Sequence, residues 1–82
     1  MRLINHVIMD PLGMHARPAA LMIKTASSFK SEFSLNAKGR TIPLNSILAL
    51  MTLELKMGDR MKVTVEGPDE VQAAKALRAA IP

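Results

Sequence analysis

Residues 61–66 alternate strictly, with Met61, Val63 and Val65 apolar and Lys62, Thr64 and Glu66 polar or charged. A period of two is the mark of a strand buried on one face. Glu32, Ser34 and Asn36 alternate in the same way with Phe33, Leu35 and Ala37, and Lys38-Gly39 then turns the chain into residues 40–43. That pattern predicts a hairpin. Pro43 lacks the N–H that a second neighbour would need, so the second strand of the hairpin belongs at a sheet edge. Residues 2–9 are rich in Leu, Ile and Val up to Asp10-Pro11 and predict a further strand stopped by a turn. Alternation is poorer there, because Leu3-Ile4 and Val7-Ile8-Met9 are contiguous.

Between the strands the period lengthens. Ala19, Met22, Ile23 and Ala26 recur at helical spacing, predicting a helix over 16–28. Pro18 falls in its first turn, where a missing N–H costs nothing. Asn45-Ser46 ahead of Ile47, Leu50 and Leu53 predicts a short capped helix whose buried stripe is those three residues. Gly58-Asp59 ends that region. After the Gly67-Pro68 turn, Asp69 and Gln72 have capping-box spacing, and Val71, Ala74, Leu77 and Ile81 form the stripe of a last helix. Lys75 and Arg78 lie late in it, where they suit the dipole. The predicted order is βαββαβα, and the economical packing is α+β: a four-stranded, mainly antiparallel sheet with three helices on one face.

Composition narrows the picture. At 82 residues the expectation is a single domain over 1–82, and 49% hydrophobic residues make a core feasible without disulfides. Phe29 and Phe33 are the only aromatics, so the core is expected to be aliphatic. The absence of cysteine removes thiol nucleophiles, zinc ribbons and iron–sulfur clusters, and fits a reducing, cytoplasmic setting. Residues 1–41 hold six bases and two acids, whereas 42–82 hold five of each. A positive half suits an acidic partner or an anionic ligand. Nucleic acid is not expected, because Tyr and Trp are missing and no run of adjacent bases exists. The longest apolar stretches, 19–23 and 47–51, are too short to cross a bilayer, and 1–9 lacks the features of a signal peptide.

His15 lies in Gly13-Met14-His15-Ala16-Arg17-Pro18-Ala19-Ala20, immediately before the first helix. A phosphoryl group on or beside this imidazole would meet unsatisfied N–H donors, the positive end of a helix dipole and the planar guanidinium of Arg17. A neutral imidazole at pH 7 also offers a nucleophilic ring nitrogen. The same residues read equally as an N-terminal cap beside a solvated arginine.

Together with Asn45-Ser46-Ile47-Leu48-Ala49-Leu50-Met51-Thr52 and Lys56-Met57-Gly58-Asp59, the 13–20 segment resembles the HPr family of histidine-containing phosphocarriers from the phosphoenolpyruvate-dependent phosphotransferase system. The resemblance covers essentially the whole chain. It implies an HPr-like open-faced β-sandwich and a carrier rather than an enzyme, with no cofactor or metal. It also implies that His15 accepts a phosphoryl group on Nδ1 from enzyme I and passes it to EIIA domains of sugar permeases or a nitrogen-regulatory acceptor. Arg17 would steady the phosphate. Ser46 matches the serine that HPr kinase/phosphorylase modifies in some members, in which case a transcriptional regulator becomes a further partner.

Ala20, Leu21 and Lys24 lie off the first helical stripe, and Leu48 and Met51 lie off the second. Apolar groups ringed by bases beside a reactive histidine suit transient docking of acidic partners. The expected docking surface is Ala16, Ala20, Leu21 and Lys24 from the first helix with Ile47, Leu48, Ala49, Met51 and Thr52 from the second.

Two positions depart from the family pattern. His6 stands where an apolar residue is usual, and is expected to be structural. Leu12 is closer to the nitrogen-regulatory branch, which leaves the branch open. Ser46 has two readings, helix cap and regulatory site, because an N-cap hydroxyl explains its presence by itself. A regulatory binding module of the same fold is the alternative function, although docking alone would not require His15 and Arg17. An independent phosphohydrolase is disfavoured, since no clustered carboxylates are expected near His15 and there is no Gly-rich phosphate loop.

Overall fold

The computed structural model describes residues 1–82. Strand β1 (Arg2–Val7) is followed by helix α1 (Ala16–Ser27), the hairpin β2 (Glu32–Ala37) and β3 (Arg40–Pro43), helix α2 (Ile47–Met51), strand β4 (Arg60–Glu66) and helix α3 (Glu70–Ala80). The sheet order is β1-β4-β2-β3, and all three pairings are antiparallel. With the helices on one face, this is the open-faced β-sandwich the sequence predicts.

Alternation decides which face is buried. Phe33, Leu35 and Ala37 of β2 and Met61, Val63 and Val65 of β4 point into one aliphatic core with Met22 of α1, Leu50 of α2 and Leu77 of α3. Pro43 sits on β3, a sheet edge, as its missing N–H requires. Lys38 and Gly39 both have positive φ, 53° and 74°, the geometry of a two-residue hairpin turn whose twist matches its strands. His6 does not disturb the register of β1, pairing with Met61 in sequence after Ile4 with Val63. Half-buried, its Nε2 lies 2.7 Å from the Pro82 carbonyl oxygen, so the ring is a satisfied structural group.

Four expectations need correction. The first strand ends at Val7 rather than at residue 9. Beyond it the Ile8 N–H donates to the Asp59 carbonyl (2.9 Å) and the Gly58 N–H to the Ile8 carbonyl (2.8 Å), holding the 55–59 loop against the chain leading to His15.

The Asp69–Gln72 capping box does not form. Asp69 instead accepts from the Lys30 N–H (2.8 Å) and the Ser31 hydroxyl, tying the start of α3 to the loop before β2. The Ser31 hydroxyl first, and then the Lys30 N–H, hold its carboxyl below the usual carboxylate range.

Val71 is 51% exposed. The buried face of α3 consists of Ala73, Ala74, Leu77 and Ala80, and at about 100° per residue Val71 lies roughly 130° from its centre.

In α2 the stripe of Ile47, Leu50 and Leu53 breaks up because the helix has only five residues. Leu53 is buried from the turn that follows it, Ile47 is 42% exposed, and Met51 packs partly against the core.

Candidate functional site

The chain reaches His15 through a tight turn. Asp10-Pro11-Leu12-Gly13 has Asp, Pro and Gly at the first, second and fourth positions of a type I β-turn, and the Gly13 N–H donates to the Asp10 carbonyl at 2.8 Å. The Asp10 side chain closes a second loop by accepting the Leu12 N–H on Oδ1 (2.8 Å). Gly13 has φ +67°, and a Cβ there would overlap the Leu55 carbonyl oxygen. Only glycine permits that approach. The Met14 N–H then donates to the same Leu55 oxygen (2.8 Å), and the Met14 side chain is buried. The residue before His15 is therefore fixed by both backbone and side chain.

His15 is the N-cap of α1, with extended backbone and no side-chain capping bond. Its ring is half-buried and points elsewhere: Nε2 lies 3.2 Å from Asp10 Oδ2. The Leu12 N–H, and after it the hydrogen bond with His15, hold the Asp10 carboxyl below its ordinary range. One carboxylate, and not a cluster of them, therefore stands beside His15. Sequence reading treated Asp10 only as a strand stop. The Asp-Pro-x-Gly turn signature was the signal that folds its side chain back.

At the start of α1 the N–H groups of Ala16 and Arg17 find no acceptor in the chain, and Pro18 has none to offer. No acidic residue occupies that first turn. Arg17 is exposed and forms no ion pair within the chain. Two free backbone donors, the positive helix end and an unpaired guanidinium thus follow His15 directly in the chain, an arrangement suited to a dianionic phosphoryl group.

Helices α1 and α2 pack against each other. Ala16, Ala20, Leu21 and Lys24 are exposed on the first, and Ile47, Leu48 and Thr52 on the second, with Leu48 at 75% the most open of the large apolar side chains there. Ala49 and Met51 are half-buried and contribute only part of their surface. Ser46 caps α2, its hydroxyl oxygen accepting the Ala49 N–H at 3.2 Å. A surface groove bordered by Ile23, Ala26, Phe33 and Leu44 does not include His15. A second groove, lined in part by His6, Arg60 and Met61, does not include it either.

The family described as "PTS HPr component phosphorylation site" matches residues 4–82. The chain belongs to the HPr family. It is 39% identical to the phosphocarrier protein HPr of Mycoplasma pneumoniae over 82 residues, covering 99% of this chain and 93% of that one. The crystal structure of HPr from Thermoanaerobacter tengcongensis superposes with a TM-score of 0.90 at 37% identity, over 99% of this chain and 91% of that one. The Bacillus subtilis catabolite repression protein Crh superposes with a TM-score of 0.73 at 34% identity, over 87% and 82%. As an HPr-family member the protein is a phosphoryl carrier between enzyme I and EIIA-type acceptors, and not itself a catalyst. No helix is long and apolar enough to cross a membrane.

Proposed function

We propose that His15 carries the phosphoryl group, accepting it on Nδ1 and holding it against the N–H groups of Ala16 and Arg17, with the Arg17 guanidinium on its oxygens. The observation that carries this reading is the placement of His15 at a helix start with unsatisfied donors and no acidic residue in the helix's first turn. Transfer passes through a loose transition state in which positioning and charge compensation matter most, and these groups supply both. The residues 1–82 act as one carrier domain in the cytoplasm, serving sugar uptake or nitrogen regulation.

Partners dock over Ala16, Ala20, Leu21, Lys24, Ile47, Leu48, Ala49, Met51 and Thr52, where the apolar side chains of Leu21, Ile47 and Leu48 are left exposed outside the core. Ser46 serves as the cap of α2 and as the target of an HPr kinase/phosphorylase, with a transcriptional regulator reading the modified form. The likeness to a catabolite repression protein supports that part. Incubation with phosphoenolpyruvate and enzyme I should give acid-labile phosphate on the parent and on His6→Ala, and none on His15→Ala. Labelling of His15→Ala would remove His15 from the role.

A further inference from the structure

We propose that Asp10 is a positioning residue for phosphoryl transfer: its carboxylate fixes the tautomer of His15 so that Nδ1, and not Nε2, presents the nucleophilic lone pair. The proposal rests on the reading of His15 as acceptor and goes beyond it, because neither the helix start nor Arg17 selects between the two ring nitrogens.

The argument is one of donors and acceptors. Asp10 Oδ1 is committed to the Leu12 N–H (2.8 Å), and Oδ2 faces His15 Nε2 at 3.2 Å. An ionised carboxylate only accepts, so Nε2 must carry the hydrogen, and in the neutral ring Nδ1 is then unprotonated. Nδ1 has no hydrogen-bond partner within the chain.

The turn makes the aspartate rigid. The Gly13 N–H on the Asp10 carbonyl and the Leu12 N–H on its side chain fix both ends of the residue. With both groups 32% exposed, the contact is half-sheltered rather than buried.

The transfer step balances without moving a proton. The Nδ1 lone pair forms the new N–P bond while the donor's bond to phosphorus breaks, its electron pair leaving with the donor. Nε2 keeps its hydrogen, the ring gains positive charge, and the Asp10 carboxylate sits beside that charge. The pair therefore favours both the correct tautomer of the acceptor and the charge of the product.

The test exploits the two roles of the side chain. Asp10→Asn keeps the turn, because its amide oxygen still accepts the Leu12 N–H, but it turns an NH2 group toward Nε2. That donor stabilises a lone pair on Nε2 and places the hydrogen on Nδ1, the wrong tautomer. Asp10→Ala loses the turn bond and leaves the ring free to choose.

If Asp10 orients the ring, the transfer rate from enzyme I at saturating enzyme I should fall in the order parent, Asp10→Ala, Asp10→Asn, with the last slower than the parent by about tenfold or more. Nitrogen NMR of the imidazole should show Nδ1 unprotonated in the parent and largely protonated in Asp10→Asn. A residue that only supports the turn gives the opposite order, because the Asn variant preserves that turn. Equal or faster transfer by Asp10→Asn relative to Asp10→Ala, or an unchanged tautomer in Asp10→Asn, overturns the proposal. Labelling of His15→Ala in the same assay would instead overturn the acceptor assignment, so the two failures are distinct.

Discussion

Replacing Gly13 by alanine perturbs the backbone on which the site is built. Two costs arise. An L-residue at φ +67° is disfavoured by about 1–2 kcal/mol. The new Cβ would also overlap the Leu55 carbonyl and come within 2.9 Å of the Lys56 Cα, and both are backbone atoms that cannot swing aside. Relieving that contact means shifting the 55–56 segment, at an overpacking cost of about 1–3 kcal/mol. The shift also loosens the Met14 N–H bond to Leu55, worth about 1 kcal/mol.

The whole effect is about 3–6 kcal/mol, a large share of the stability of a small domain. In a chain of this size it should lower the melting temperature by about 12 °C or more. Gly39→Ala is the matched control, since Gly39 has φ +74° with nothing near its missing Cβ and so carries only the conformational cost. Thermal unfolding followed by circular dichroism compares the two. The Gly13 variant should melt about 8 °C or more below the Gly39 variant. Equal melting temperatures would refute the contact argument.

Three other perturbations separate folding from transfer. Arg17→Lys keeps the charge but loses the planar fork, so transfer should slow while the melting temperature stays nearly constant; transfer at the parental rate would exclude Arg17 from the site. Ser46→Ala removes the bond to the Ala49 N–H and should cost about 1 kcal/mol by thermal unfolding, whereas Ser46→Asp keeps a cap and should fold like the parent yet bind enzyme I more weakly than the parent does, by a deficit that shrinks as salt rises. Asp69 has its folded pKa held down by Ser31 and Lys30, so its contribution is complete above the unfolded carboxylate range near ~3.9 and is lost as pH falls through the lower folded value. The melting deficit of Asp69→Ala relative to the parent should therefore shrink between neutral pH and strongly acid pH, and a constant deficit would show that its hydrogen bonds do not depend on the charge.

What could be read from the sequence follows how local each signal is. The alternation of 32–37 and 61–66 reports burial residue by residue, and both strands form with the expected faces inward. The Lys38-Gly39 turn and the edge position of Pro43 are likewise consequences of single residues. Asp69 departs from the expected cap because a cap spacing says what a side chain could bond locally, and a partner 38 residues away, Ser31, competes for it. In α2 a helical period was extrapolated beyond one turn, so Ile47 was placed inside and Met51 outside. At the site, His15 and Arg17 were visible as a motif. Asp10 was not, because its approach to the ring depends on a turn that reverses the chain between them.

The way the site is held explains why its side chains can be given over to partners. Met14 is anchored by the Leu55 carbonyl, Gly13 by its contact with the same strand of backbone, and Asp10 by its own turn. None of these bonds uses the imidazole, the guanidinium of Arg17 or the apolar tips of Leu21 and Leu48. The core that stabilises the fold lies on the opposite sides of the same helices, at Ala19, Met22, Ala26 and Leu50. Substitution on the proposed docking face should therefore alter recognition with little effect on packing, and substitution beneath it should do the reverse. A carrier must meet a donor and an acceptor through one surface. That separation lets the surface suit both encounters while the turn, the buried Met14 and the Asp10 carboxylate hold the ring in place.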